Sequence, residues 1–134
     1  MKDVAELARG WLRKATSDML SVDATIQAGA LDSACFHAQQ ALKKYLKVFL
    51  TLNRKAFPDT HNLGDLVELC AATGPSFRNL VFVVSNLTPY AVQVRYDDSF
   101  WPELDVAEEA RSAACAVRDF VRARLPVDVT GPVA

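Results

Sequence analysis

An all-α fold, an up-and-down bundle of four to five helices, follows from three features of the 134-residue chain. Apolar residues recur three and four positions apart over long stretches free of proline, the period of an amphipathic helix. The one strongly β-branched run, Leu80 to Val84 (LVFVV), has no convincing second strand to pair with, so a helix is the better assignment. Alanines gather on the helical faces (Ala34, Ala38, Ala41, Ala110, Ala113, Ala114), where they let helices approach closely and run antiparallel.

The first helix is expected from Val4 to Gln27, with Val4, Leu7, Trp11, Ala15, Met19 and Val22 holding the period. Gly10 interrupts it at a cost of about 1 kcal/mol relative to alanine. Gly29 is its natural stop, and the short turn beyond it reverses the chain. The central helix is Leu31 to Leu52. It carries two adjoining stripes, one through Ala34, Ala38, Ala41, Tyr45 and Val48, the other through Cys35, Leu42, Leu46 and Phe49. A face that wide is covered by more than one neighbour, from this chain or from a second subunit. Lys43, Lys44 and Lys47 resist burial and are placed on its rim or outer face.

Pro58 breaks the pattern after Leu52, and Thr60 or Asn62 then caps a third helix over Leu63 to Ala72. A fourth helical segment starts near Ser76. Residues 86–102 are expected to form an extended surface loop packed by its own aromatic side chains. Pro102, Glu103 and Asp105 suit the start of a last helix running to Arg124. One domain therefore spans residues 1–126, and residues 127–134 form a frayed tail.

About half of the chain is apolar (51%) and 23% is charged, with a formal charge of -1. That balance excludes a wholly basic nucleic-acid-binding surface, though not a local patch. Three widely spaced cysteines read as buried free thiols in a reducing compartment. With no apolar leader and no membrane-length run, a cytoplasmic protein is expected.

Chemistry is sparse. The two histidines, His37 and His61, are far apart, and neither the cysteine spacing nor any HExxH pair suggests a metal site. No phosphate-cradling glycine loop occurs, no nucleophile has a base indicated beside it, and no cofactor is expected. Asp18 and Asp23 read as solvated surface acids. His37 reads as a half-buried side chain hydrogen-bonded to a loop or neighbouring helix, with Gln39 and Gln40 completing a polar seam. Thr60 and His61 are expected to fix the 53–62 loop. Arg95 leaves two readings open. It either pins its loop through Asp97 or Asp98, or it grips a phosphate or carboxylate with its planar fork. Lys43 and Lys47 add a modest basic surface, and Tyr96 offers stacking or interface contacts.

Four segments, WLRKATSDM, ACFHAQQALKKYLKVFL, THNLGDLVELC and VRYDD, occur in an order that resembles the HEPN family, over roughly residues 5–125. The resemblance implies a helical bundle like the substrate-binding domains of nucleotidyltransferases, commonly dimerised. Many HEPN proteins resemble RNA-cleaving toxins, in which an arginine and a histidine a short fixed spacing apart meet at the dimer interface. Here that arginine would be Arg95, but Ser99, Phe100 and Trp101 stand where the histidine is needed, and no histidine follows His61. His37 matches the family's helix-two histidine, not its catalytic one. Proton transfer needs a titratable group, so the departure argues against a metal-independent ribonuclease. Other members resemble partners of minimal nucleotidyltransferases or nucleotide-binding domains. On that likeness the chain is expected to be a non-catalytic binding or accessory protein. It would form a homodimer or a hetero-complex with a minimal nucleotidyltransferase, or bind a nucleotide; the alternative is an RNA-binding protein or a ribonuclease of the toxin type. The ligand-binding candidates are Arg95, Tyr96, His37, Lys43 and Lys47.

Overall fold

The computed structural model describes residues 3–60 and 62–131. Two long helices open the chain, α1 (Val4–Ala28) and α2 (Leu31–Leu52). Asp3 caps α1 by accepting the Glu6 N–H at 2.8 Å. Gly29 ends it at φ 79, a left-handed conformation that glycine adopts without a side-chain clash. The Gly29 and Ala30 N–H groups donate back to Ile26 and Thr25, so the free carbonyls of the last turn are satisfied as the chain reverses.

α3 (Leu63–Ala71) starts at Asn62, whose side chain accepts the Asp65 N–H. A 3-10 turn over Pro75–Leu80 leads into α4 (Val81–Ser85), so the β-branched run is helical. The stretch expected to be an extended loop contains α5 (Tyr90–Tyr96). Its sequence alternates over too few residues to reveal its period, and contact with α2 decides in favour of the helix. The expected self-packing of its aromatics is present in part, with Tyr90 and Phe100 ring centroids 5.5 Å apart. α6 spans Leu104–Arg122, and α7 spans Val127–Thr130. Where a frayed tail was expected, α7 docks on α1 and buries Val129, and Arg9 donates to the Asp128 carbonyl at 2.6 Å. Residues 132–134 lie outside the described residues. Among the described residues there is no strand, and no helix is long and apolar enough to cross a membrane.

α2 is the axle of this all-α bundle. It packs most extensively on α1, then on α6, with α5 and α3 closing its other flank. No residue from Leu31 to Asn53 is exposed. Both apolar stripes are thus covered within one chain, without help from a second subunit. Phe49, Phe77 and Phe120 stack in sequence at one end of the core, at centroid separations of 4.4 and 4.9 Å.

Candidate functional site

The polar groups of α2 lie along the two seams it forms with α1 and α5. On the α1 side, Asp18 is buried rather than solvated. Its Oδ1 lies 3.0 Å from His37 Nδ1, and its Oδ2 accepts from Lys44 Nζ at 2.6 Å. His37 and Lys44 are two turns apart on α2, so one carboxylate bridges both. Nothing near Asp18 in sequence announces this, because its partners lie 19 and 26 residues away. Asp23 does sit at the surface, accepting from Arg111 Nε at 2.6 Å. His37 is half-buried against a neighbouring helix, in the manner its context suggested.

The lysines depart from expectation. Lys43 and Lys47 are buried, at 7% and 8% exposure, and do not occupy the rim or the outer face. Their long apolar stems let both side chains lie in the packed flank of α2. Lys47 Nζ stands 4.8 Å from the Trp11 ring centroid and 5.1 Å from that of Phe57, within cation–π range. Burial pulls the Lys43 ammonium below the ordinary lysine range, with Asp59 opposing the shift and Lys44 and Arg95 adding to it. Burial likewise lowers Lys47, with Lys43 adding to the shift and Asp59 opposing it. Neither amine forms an ion pair with a described carboxylate.

Arg95, in the last turn of α5, is exposed and close enough to Lys43 for its charge to be felt there. Its Nε donates to the Ala91 carbonyl at 2.8 Å. The guanidinium lies 5.5 Å from the Phe36 ring and 5.6 Å from that of Tyr96. The expected ion pair with Asp97 or Asp98 is not formed. After Arg95 the backbone leaves the helix at Asp97, and that carboxylate accepts from the Ser99 N–H and hydroxyl at 3.0 and 2.6 Å. These two bonds hold the Asp97 carboxyl below its ordinary range. Two arms of the Arg95 fork, Nη1 and Nη2, have no partner among the described residues.

Gln40 donates to Gln39 Oε1 at 2.6 Å, so the glutamines do form a seam, but Gln39 Nε2 is buried without a described partner. Thr60 Oγ1 accepts the Asn62 N–H at 3.0 Å inside the 53–62 loop. His61, expected to assist it, lies outside the described residues. Tyr96 is 76% exposed beside Arg95. The structure brings Lys43 and Arg95 near one another, sets Lys47 against Trp11 of α1 and Phe57, and holds His37 through Asp18. The Phe36 ring neighbours both the Arg95 guanidinium, at 5.5 Å, and the His37 ring, at 5.4 Å.

A family model described as the HEPN domain matches residues 8–124. Among solved structures, the crystal structure of TT1696 from Thermus thermophilus is similar at 29% identity, covering 88% of this chain and 98% of that one, with a TM-score of 0.73. No curated protein matches the chain.

Proposed function

The chain belongs to the HEPN domain family, and from that premise we propose that it is a non-catalytic binding or accessory protein. It holds the phosphate of a nucleotide against α2 and α5 and associates with a minimal nucleotidyltransferase. One observation carries this reading. Lys43 is buried within reach of the exposed Arg95 guanidinium, Lys47 is buried one turn further along α2, and none of the three forms an ion pair with a described carboxylate. Assembling like charges around half-desolvated amines costs stability, and a phosphate offsets that cost by neutralising them. For association, α1 leaves Leu7 near its start and Leu20 further along in solvent, at 45% and 67% exposure.

Binding of ATP and of inorganic pyrophosphate to the full chain, measured by calorimetry, tests the phosphate site. Lys43→Gln combined with Arg95→Gln is expected to weaken both at least roughly tenfold, the scale of a lost charge-assisted hydrogen bond. Unchanged affinity in the double variant would sink the proposal. Co-expression with a minimal nucleotidyltransferase should yield a stoichiometric complex that Leu20→Glu disrupts.

A ribonuclease reading draws on the Asp18–His37 contact, since a carboxylate on Nδ1 leaves Nε2 as the proton-transfer atom. It needs Nε2 and Arg95 to address one phosphate, and it ranks second because no histidine follows Arg95. RNA cleavage abolished by both His37→Ala and Arg95→Ala would reverse the preference.

A further inference from the structure

Beside the Arg95 fork, a pocket of about 230 Å³ opens where α5 ends, with Asp32, Arg95, Tyr96, Asp98, Phe100 and Trp101 in its lining. It is smaller than the several hundred Å³ typical of sites for larger ligands. A single planar heterocycle fits such a space and a whole nucleotide does not. Two of its walls are aromatic planes that the fold leaves in solvent, Tyr96 at 76% and Trp101 at 73% exposure. The Trp101 indole is held in place, because Nε1 donates to the Asp98 carbonyl at 2.9 Å. Its polar edge is satisfied, and its open face remains available for stacking.

The polar groups narrow the choice of heterocycle. Asp97 is occupied by Ser99. The Asp32 and Asp98 carboxylates have no side-chain partner among the described residues, nor do Nη1 and Nη2 of Arg95. The pocket lining thus holds two carboxylates with free acceptor oxygens and a guanidinium with two unpartnered nitrogens. Guanine presents the complement: N1–H and N2–H₂ donors along one edge for a carboxylate, and an O6 acceptor for one arm of the guanidinium, the other arm staying with the phosphate. Adenine would turn its N1 lone pair toward a carboxylate, and cytosine lacks the paired donors. A cationic ligand would suit the aromatic rings and carboxylates but would be repelled by Arg95.

We propose that this pocket is a base subsite selective for guanine, presented by a free nucleotide or by single-stranded RNA. It extends the reading of Lys43, Lys47 and Arg95 as the phosphate-holding part of the same site, and rests on it.

The test measures affinities of the full chain for GMP, AMP, guanosine, ribose 5-phosphate, tetramethylammonium and short single-stranded RNAs with and without guanine. GMP is expected to bind roughly tenfold or more tighter than AMP, on the scale of one lost bidentate base contact. Trp101→Ala should weaken GMP by about five- to 150-fold, the range of a lost base–aromatic stack, and bring it down to the ribose 5-phosphate level. Asp98→Asn should remove the preference for GMP over AMP. Because Trp101 is exposed, its loss leaves the core intact, which far-UV circular dichroism checks. A guanine-containing RNA binding far tighter than GMP identifies RNA as the source; equal affinities identify the free nucleotide. Equal affinity for GMP, AMP and ribose 5-phosphate, unchanged by Trp101→Ala, overturns the base subsite and leaves the phosphate site standing. Guanosine binding that depends on Trp101, with no binding of ribose 5-phosphate, overturns the phosphate site alone. Preference for tetramethylammonium, or binding of none of these probes, overturns the guanine assignment.

Discussion

Asp18 shows how far one side chain can depart from its local context. It bridges His37 and Lys44 across two helices with its side chain 11% exposed. Asp18→Ala strands a half-buried ammonium and an imidazole, and is expected to destabilise the fold by about 2 kcal/mol, read as a lower urea midpoint. An unchanged midpoint would mean that water replaces the carboxylate at no cost. Lys43 predicts the opposite sign. Its folded-state pKa lies below the unfolded value of 10.5. Between those two values the unfolded chain holds the extra proton, so stability rises with pH across that window, and the full penalty is present below it. Lys43→Met should therefore stabilise the protein by about 1 kcal/mol at neutral pH and flatten the alkaline rise, while weakening phosphate binding. Equal slopes for the two proteins between neutral pH and 10.5 would refute this. The thiols divide in the same way. Burial pushes Cys35 up to about 11 and Cys70 up to about 12, while Cys115 is only half-buried. A thiol reagent at mildly alkaline pH should label Cys115 first, and the other two only as the protein unfolds.

At the scale of elements, composition and punctuation go far. Leu31–Leu52 coincides with the helix its two stripes define, and Gly29 ends α1 where glycine is needed. Gly29→Ala places a side chain at φ 79 and is expected to cost about 1 kcal/mol, seen as a fall of several degrees in Tm. A Tm equal to the parent's would show that the turn relaxes freely. Asn62 is legible as a cap for the same local reason, a short polar side chain placed to reach the N–H groups of the first turn. α5 is not legible. Its seven residues are too few to show a period, and its place is settled by Ala91 packing into the bundle and by the cover it gives α2. α7 is shorter still, and it forms because Val129 finds a buried seat on α1.

For the whole molecule, the consequence of a central α2 is cooperative stability. Leu42 is fully buried on the helix that α1, α3, α5 and α6 all touch. Leu42→Ala should cost about 3 kcal/mol in denaturant unfolding. Amide exchange should be slowest in α2 and fastest in α5 and α7, whose packing is least extensive. Uniform protection across these elements would contradict an axle-and-cover architecture.

The sequence by itself determined the all-α class, the central helix, the main helix ends and the family likeness. Each depends on periodicity, a cap or a short motif, signals that lie within a few residues of one another. Only the tertiary structure decided what surrounds the charges. It buried Asp18, Lys43 and Lys47, freed Arg95 from Asp97 and Asp98, and set Phe36 beside both Arg95 and His37. Burial and charge pairing depend on which helix lies opposite and in what register, and those contacts join residues that local sequence patterns do not connect.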